Sequence, residues 1–213
     1  MPIAIIDYKM GNLRSVQKGF EKMGFDAVIT DNPDIINKSS GIVVPGVGAF
    51  DEAIKNLKKL KLDDEIKNQI IPGKPFLGIC LGLQLLFESS EEGKLSGLGI
   101  LKGKVKKLRG KKLKVPQIGW NQVKFPMSNF QPALPAGRCP IFNGIPNNSF
   151  FYFVHSYYVE PKDKSIIAAT TDYGTDFTSV IAKDNIFGVQ FHPEKSSALG
   201  LQILKNFGEL CSK

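Results

Sequence analysis

Over the first 90 residues, short apolar runs alternate with segments of helical periodicity. The apolar runs are rich in β-branched residues and predict buried strands at 3–6, 25–30, 41–44 and 75–77. Between them, apolar residues recur every three or four positions and predict helices at 13–23, 50–60 and 62–70. Asn12 is a candidate N-cap of the first helix and Gly24 a candidate stop signal. This alternation is typical of a parallel sheet that is covered by helices on both faces.

Beyond residue 100 the pattern changes to short strands separated by frequent turns. Strands are predicted at 104–108, 112–116, 122–125, 149–159, 165–171, 178–183 and 186–191, and a last helix at 196–210. We therefore expect an α/β fold, with an open, mostly parallel sheet flanked by helices and additional antiparallel strands in the second half. No repeat, low-complexity tract or long linker interrupts the chain, which predicts a single domain over residues 1–213.

The composition is that of an ordinary globular protein, with 42% hydrophobic and 23% charged residues in a chain of 213. A chain of this length buries a substantial core without disulfides, and three cysteines that lie far apart do not predict a disulfide framework. No segment approaches the roughly 18 uninterrupted apolar residues of a membrane span. The N-terminal residues lack the pattern of a signal peptide. We therefore expect a cytoplasmic protein that does not bind membranes.

The net charge of +8 comes from one segment, residues 101–114, which has eight basic residues and no acidic one. Aromatic residues do not alternate with these lysines, as they would in a surface that stacks single-stranded nucleic acid, so we expect no nucleic-acid partner. Apolar and basic residues alternate at 100–108 and 112–115, around Arg109-Gly110, which predicts a solvent-exposed β-hairpin. An acidic protein partner is the alternative interpretation of this basic segment.

The sequence Gly-Ile-Cys-Leu-Gly at 78–82 joins the apolar run at 75–77 to a segment that favours helix. This strand–turn–helix pattern is a nucleophile elbow with cysteine in place of serine. The tight turn forces its central residue into a strained backbone conformation, and the N-terminus of the following helix favours the thiolate. Cys80 is therefore the candidate nucleophile, whereas Cys139 and Cys211 lack this context.

A thiol nucleophile needs a base, and the base needs a third group that fixes its tautomer. An apolar strand ends in His-Pro-Glu, so we expect His192 to be the base and Glu194 to orient it, provided that the chain turns locally at Pro193. A solvated surface loop is the alternative interpretation. His155, the other histidine, lies in an aromatic strand without a carboxylate two residues away. We interpret it as a buried or pocket-lining hydrogen-bonding group, with a role as the base as the alternative.

The sequence Pro-Gly-Val-Gly-Ala at 45–49 follows the third predicted strand and precedes a helix. Glycines there expose backbone N–H groups that can stabilise an oxyanion together with the N–H of Leu81, while a plain turn or a phosphate-binding loop is the alternative. All three segments lie at the carboxyl ends of predicted strands, where open α/β sheets place their sites. Trp120 is interpreted as either a core residue or an exposed aromatic anchor for a partner.

Taken together, these motifs resemble those of the class I, or triad-type, glutamine amidotransferase family. They are Pro-Gly-Val-Gly at 45–48, Gly-Ile-Cys-Leu-Gly-Leu-Gln at 78–84 and Phe-His-Pro-Glu-Lys-Ser at 191–196. Two further segments, 115–121 and 152–158, are more closely similar to the glutaminase subunits of imidazole glycerol phosphate synthases. The resemblance covers nearly the whole chain. It implies a flavodoxin-like fold, a glutaminase without cofactor or metal, and a place in histidine biosynthesis.

The resemblance implies a role for each matching residue. Cys80 would attack the side-chain amide of glutamine, His192 would act first as base and then as acid, and Glu194 would orient His192. The implied oxyanion hole consists of backbone N–H groups at Val47, Gly48 and Leu81. The implied contacts to the α-amino and α-carboxylate groups of glutamine are Gln84, Glu92, Ser156 and Tyr157. The positions that match the subunit interface are Trp120 and Lys195.

The implied partner is a (βα)8-barrel cyclase, in a heterodimer. Ammonia would pass through the barrel, which makes imidazole glycerol phosphate and aminoimidazole carboxamide ribotide, and the partner would activate the glutaminase by switching the oxyanion loop. Gln117 stands where these subunits usually have histidine, which leaves open a paralogous subunit that supplies ammonia for sugar amidination in surface polysaccharide biosynthesis. The alternatives from other classes are a cysteine peptidase or esterase and a binding module that uses the basic segment.

Overall fold

A mixed sheet organises the fold, in a computed structural model that describes residues 1–110, 113–125 and 139–212. The strands of this part of the chain are β1 (Ile3–Ile6), β2 (Ala27–Thr30), β3 (Gly41–Gly46), β4 (Phe76–Cys80), β5 (Ser89–Ser90), β6 (Gly103–Lys107), β7 (Gln117–Val123), β8 (Ser149–His155), β9 (Tyr157–Pro161), β10 (Ile167–Asp172), β11 (Asp176–Lys183) and β12 (Ile186–Val189). The helices are α1 (Leu13–Lys22), α2 (Pro33–Lys38), α3 (Phe50–Lys59), α4 (Leu62–Ile70), α5 (Leu81–Gln84) and α6 (Ser197–Cys211).

The strand order in the main sheet is β2-β1-β3-β4-β12-β11-β9-β6-β5, with β10 paired to β11. The pairs from β2 to β12 are parallel, and β12, β11, β9 and β6 pair antiparallel in succession. Strands β3, β4 and β12 are therefore adjacent and point in the same direction. Their carboxyl ends meet at one edge of the sheet, where open α/β folds place their sites.

Helices cover both faces of the parallel strands, because successive residues of a buried strand point to opposite sides. In β1, Ile3 and Ile5 belong to a core that includes Phe20 of α1 and Phe207 of α6. Their neighbours Ala4 and Ile6 belong to a second core, which holds residues of α3 and α4. Helix α1 begins where expected, since the Asn12 side chain accepts a hydrogen bond from the Ser15 N–H at 3.4 Å.

Strands β7 and β8 form a separate two-stranded antiparallel ribbon. The sequence pattern predicted one strand at 149–159, but the chain breaks at Ser156. Strand β8 belongs to the ribbon, whereas β9 belongs to the main sheet. The break turns residues 154–157 toward the edge where β3, β4 and β12 end, since they line the same cleft as Cys80.

The predicted basic hairpin is wrong. Strand β6 pairs antiparallel with β9 and parallel with β5, and residues 113–116 form no strand, while Lys111 and Lys112 lie outside the described residues. The alternation has a different cause: Val105 is buried in the core, whereas its neighbours Lys104, which is exposed, and Lys106, which is half-buried, lie on the other face. A strand with one solvated face gives the same pattern as a hairpin.

Helix α2 was not predicted because it spans only six residues, too few for a periodic pattern. Its start has local causes instead: Pro33 occupies the first turn and Asn32 accepts a hydrogen bond from the Asp34 N–H at 2.8 Å. In the described ranges, helices long and apolar enough to cross a membrane are absent.

We expect the substitution Asn206→Leu to lower the free energy of unfolding by about 2 kcal/mol, because buried carbonyls that lose their donors keep the cost of desolvation. The Asn206 Nδ2 donates to the carbonyls of Ile141 and Asn143, at 2.9 Å each, and so fixes α6 to the loop beside it. Urea unfolding measures the change. The control is Gln202→Ala, which removes only the outer hydrogen bond to Asn206. Equal losses in the two variants would contradict this account.

Candidate active site

Cys80 is the last residue of β4 and has a left-handed backbone, with φ 54° and ψ −108°. This conformation is rare for a residue with a side chain, and it is held in place by close packing around the turn. A Cβ atom on Gly82 would collide with the Val44 carbonyl, and one on Gly78 would lie 2.8 Å from the backbone of Gly82. The nucleophile elbow predicted from the sequence is present, and the two glycines have a steric reason.

His192 lies just beyond β12, at the start of a short 3-10 turn over Pro193–Lys195. The turn brings the Glu194 Oε1 to 2.9 Å from the Nδ1 of His192, and both side chains are almost fully buried. The Ser196 hydroxyl donates to the His192 carbonyl at 2.6 Å and accepts from the Tyr152 N–H at 3.0 Å. The expected local turn is confirmed, and the solvated surface loop is excluded.

The protonation of His192 depends on its two neighbours. Burial by itself would lower the pKa of His192, because it disfavours the charged ring. The Cys80 sulfur and the Glu194 carboxylate outweigh burial and raise this pKa to about 10. The ring beside Cys80 and Glu194 therefore holds its proton strongly, which suits a histidine that takes the proton of a cysteine nucleophile.

The Cys80 sulfur has two hydrogen-bond partners. The thiol lies 3.8 Å from the Val154 carbonyl, to which it donates, and the Gln190 Nε2 donates to the sulfur at 3.5 Å. The Nε2 of His192 is buried and makes no hydrogen bond to any described residue. It is near enough to the sulfur for Cys80 to raise the pKa of the ring, so it is the ring atom that takes and holds the proton of the nucleophile.

The residues of the predicted oxyanion hole line the same cleft as Cys80. Leu81 is the first residue of α5, so its N–H has no partner within the helix. Val47 and Gly48 lie in the loop after β3, and Gly48 has φ 117°, which favours glycine. The Tyr8 hydroxyl donates to the Pro45 carbonyl at 2.9 Å and so fixes the start of this loop. The predicted oxyanion segments therefore lie at the same sheet edge as Cys80.

These segments enclose a cleft of about 250 Å³, a volume near the lower end for ligand pockets and suited to a small molecule. Its lining includes every predicted oxyanion and substrate residue and the nucleophile: Val47, Gly48, Cys80, Leu81, Gln84, Glu92, Ser156 and Tyr157. Pro116, Val154 and His155 complete the lining. Trp120 and Lys195 do not line the cleft and are exposed on the surface, so the alternative of a core Trp120 is excluded.

His155 is fully engaged by structural hydrogen bonds. Its Nδ1 lies 2.8 Å from the Tyr157 carbonyl, and its Nε2 lies 3.0 Å from the Gln117 side-chain amide. Burial lowers the pKa of His155 to about 4, so the ring is neutral at neutral pH. Since a carbonyl only accepts, the Nδ1 carries the proton and the neutral Nε2 is an acceptor; we therefore assign the Gln117 amide with its nitrogen toward the ring, the reverse of the orientation in which its Oε1 lies 3.0 Å from the Nε2. This confirms the interpretation of His155 as a hydrogen-bonding group and excludes the alternative that it is the base.

Two polar side chains that line the cleft, Glu92 and Gln84, each offer an oxygen that can accept a hydrogen bond from a ligand. The Glu92 carboxylate accepts from the Phe50 N–H at 3.0 Å, and burial raises the pKa of Glu92. The Nε2 of Gln84 donates to the Tyr157 carbonyl at 3.0 Å and to the Gln190 Oε1 at 3.2 Å. Both N–H groups of the Gln84 amide are thereby used, which leaves its Oε1 for a donor.

Gln190 is the polar residue at the site that sequence reasoning missed. It is completely buried and contacts both Cys80 and Gln84. The signal was a single glutamine in an otherwise apolar strand, two residues before His192 and therefore on the same side of the extended chain. Among the residues that the structure describes, no group of three His, Cys, Asp or Glu side chains could hold a metal ion.

The sequence profile of the family described as glutamine amidotransferase class-I matches residues 4–210 of this chain. The chain belongs to this family. One relative of this class I amidotransferase is imidazole glycerol phosphate synthase subunit HisH of Moorella thermoacetica, 50% identical over 210 residues, which span 98% of this chain and 95% of the relative. A second is the subunit of the same name from Syntrophotalea carbinolica, 49% identical over 98% of this chain and 100% of the relative.

Solved amidotransferase structures have the same fold. A crystal structure of glutamine amidotransferase gives a TM-score of 0.75 at 15% identity, over 100% of both chains. The glutaminase domain of CTPS from Trypanosoma brucei with bound acivicin gives 0.69 at 17% identity, over 100% of this chain and 94% of that chain. At these identities the likeness concerns the fold alone, and it confirms the expected α/β class.

We expect NMR to separate the two histidines of the chain by their titration. The His155 ring should stay neutral from pH 9 down to about pH 5, because burial disfavours its cation, whereas the His192 ring should stay protonated well above pH 7. In the variant Cys80→Ala, only the His192 titration should move, and it should move to lower pH because the sulfur is gone. Two histidines that both titrate near the ordinary value of about 6.5 would contradict this assignment.

Proposed function

We propose that this chain is the glutaminase subunit of an imidazole glycerol phosphate synthase and acts in histidine biosynthesis. It would hydrolyse glutamine to glutamate and ammonia through a cysteine thioester. The observation that carries the proposal is that His192, bonded to Glu194, lies close enough to Cys80 on the cleft wall for the sulfur to raise its pKa, in a class I amidotransferase chain about half identical to HisH subunits over nearly their full length.

Glutamine would bind with its α-ammonium group between the Glu92 carboxylate and the free Oε1 of Gln84. Both groups are acceptors that line the cleft, and Glu92 is already oriented by the Phe50 N–H. The α-carboxylate would lie at residues 156–157, which line the same cleft. This placement directs the side-chain amide of glutamine toward the Cys80 sulfur.

The reaction would proceed in two halves. Cys80 gives its proton to the Nε2 of His192, which has no other partner in the described structure, and the sulfur attacks the amide carbon. The same proton then passes to the leaving nitrogen, so that ammonia departs and a γ-glutamyl thioester remains. Water, deprotonated by His192, hydrolyses the thioester. Glu194 keeps the ring of His192 in the required tautomer throughout.

The negative oxygen of each tetrahedral intermediate needs donors that are in place before it forms. The Leu81 N–H is one such donor, because it follows the nucleophile at the start of α5. The second would come from the loop at Val47 and Gly48. A reorientation of the peptide between these residues has a low steric cost because one of them is glycine. This loop is therefore the proposed point at which a partner regulates activity.

The partner surface would be the outer face of the β7–β8 ribbon. Residues on this face are paired across the two strands, and three large apolar side chains are unusually exposed: Ile118 (63%), Trp120 (50%) and Phe150 (53%). Ile118 pairs with Val154, which lines the cleft, and the turn that carries Lys195 is bonded to Tyr152 of the same ribbon through Ser196. An apolar partner surface would therefore cover the exit of the cleft.

We propose a (βα)8-barrel cyclase as this partner, in a cytoplasmic heterodimer, with ammonia passing directly from the cleft into the barrel. Gln117 is compatible with this role although these subunits usually have histidine there, because its amide fills the place beside His155 with a satisfied hydrogen bond. The relatives named above carry the synthase name, which favours this acceptor over a nucleotide-linked sugar.

The substitution Cys80→Ala should abolish glutamine hydrolysis while the complex with a cyclase still makes product from ammonium salts. The reason is that Cys80 acts only in the release of ammonia. Glutamate formation and cyclase turnover are measured in parallel, on protein whose fold is checked by circular dichroism. The matched control is Cys139→Ala, at a buried thiol away from the cleft, which should keep the glutaminase reaction. Glutamine turnover by a folded Cys80→Ala protein would refute the proposal.

The substitution Trp120→Ala should weaken binding of the cyclase by about 2 kcal/mol, or roughly thirtyfold in Kd, since a central exposed tryptophan is a typical hot spot. Titration calorimetry measures the affinity, and a glutaminase assay measures how far the partner stimulates the enzyme. Ile71→Ala is the control because Ile71 is also exposed but lies at the end of α4. Unchanged affinity in Trp120→Ala would show that the partner binds elsewhere.

A further inference from the structure

A buried chain of side-chain amides leads from the cleft wall to the nucleophile. The Tyr157 carbonyl accepts from the Nε2 of Gln84, the second N–H of Gln84 donates to the Oε1 of Gln190, and the Nε2 of Gln190 donates to the Cys80 sulfur. Gln84 and Gln190 are both buried. Every hydrogen bond in this series of amides lies within the part of the molecule that the structure describes.

The Tyr157 carbonyl sets the direction of each amide. A backbone carbonyl has no proton to give, so Gln84 must present its nitrogen to it. The other N–H of the same nitrogen then faces Gln190, so Gln190 must present its oxygen as the acceptor. The Gln190 nitrogen is thereby left facing the sulfur. An inverted Gln190 amide would place two donors against each other and an oxygen against the sulfur, both unfavourable in a buried site.

A donor fixed in this way favours a charged sulfur over a neutral one. Hydrogen bonds to an ionised acceptor are about twice as strong as neutral ones, and the contrast is larger where water is excluded. His192 exchanges a proton with Cys80, so the hydrogen bond that it offers to the sulfur changes as the proton moves. The Gln190 N–H, in contrast, is present before, during and after the proton transfer.

We propose that Gln190 is a catalytic residue of the glutaminase reaction, whose N–H holds the Cys80 thiolate for attack while the Tyr157 carbonyl, through Gln84, keeps that donor pointed at the sulfur. This inference rests on the proposed function for its place in turnover. Gln190 would thus be a fourth residue beside the triad, and it contacts the reacting sulfur directly. Neither Gln84 nor Tyr157 touches the sulfur, so in this respect both are positioning residues.

The test is the rate at which iodoacetamide alkylates Cys80 as a function of pH, measured by mass spectrometry of the Cys80 peptide. In Gln190→Met, which keeps the length of the side chain but has no donor, the pH midpoint should rise by about one unit. The titratable groups that influence the sulfur are His192, with Glu194 behind it, and Tyr8, and the variant changes none of them. Glutamine turnover should lose about tenfold in kcat with KM changed less than threefold.

The matched control is Ser179→Ala. Ser179 lies beside Gln190 on β11, where its backbone carbonyl accepts from the Gln190 backbone N–H. The buried Ser179 hydroxyl, which the substitution removes, makes no hydrogen bond in the described structure. The alkylation profile of this variant should coincide with that of wild type. Gln190→Glu, which retains the acceptor for Gln84 but lacks the donor, should move the midpoint in the same direction as Gln190→Met. Midpoints and kcat that match wild type in both Gln190 variants would overturn the proposal.

A measurement on the unsubstituted residue covers the case in which neither variant folds. In protein labelled at glutamine side-chain nitrogen, the Gln190 amide proton should shift with pH in wild type and should not shift in Cys80→Ala. A Gln190 signal that is independent of pH in wild type would overturn the proposal. Alkylation and NMR need no glutamine, so they test Gln190 separately from the proposed glutaminase activity.

Discussion

The strained backbone of Cys80 is the constraint on which the site depends. A non-glycine residue at φ 54° and ψ −108° costs of the order of 1–3 kcal/mol and persists only where its surroundings fix it. Here β4 is held between β3 and β12 in parallel register, with Gly46 beside Cys80 and Val189 beside Ile79. The same register that fixes the elbow brings the oxyanion loop and His192 to it. Strain and assembly of the site therefore have one cause.

Around this point the protein satisfies its buried polar groups selectively. Near the cleft, His155 uses both ring nitrogens, and Gln84 uses both of its N–H groups. The buried side-chain atoms without a partner in the described structure are the hydroxyls of Thr171 and Ser179, the Nε2 of His192 and the Oε2 of Glu194. Unpaired buried groups are costly, and the two in the triad are the ones whose hydrogen-bonding capacity the reaction uses.

Much of this arrangement could be predicted from the sequence, and the failures have physical reasons. The elbow, the His-Pro-Glu turn and the parallel strands could be predicted because each has a local sequence pattern that fits few other structures. The basic hairpin failed because the pattern of β6 records which side faces solvent and does not record which strand pairs with it. Gln190 was missed because its role depends on Gln84 and Cys80, which are over 100 residues away. The break at Ser156 was missed because both halves favour strand.

The break at Ser156 also explains how a partner outside the cleft could act on it. The ribbon has one face that exposes Trp120 and Phe150, while residues 154–155 at its end contact the cleft. A docked protein would therefore touch the element that forms the cleft wall. The Tyr8 hydroxyl fixes the start of the oxyanion loop at Pro45, so the segment left to reorient is residues 47–49, between the end of β3 and the start of α3, with Gly48 at a φ of 117°. Coupling between partner and catalysis needs only a movable segment of this kind, whose two orientations the docked protein stabilises differently.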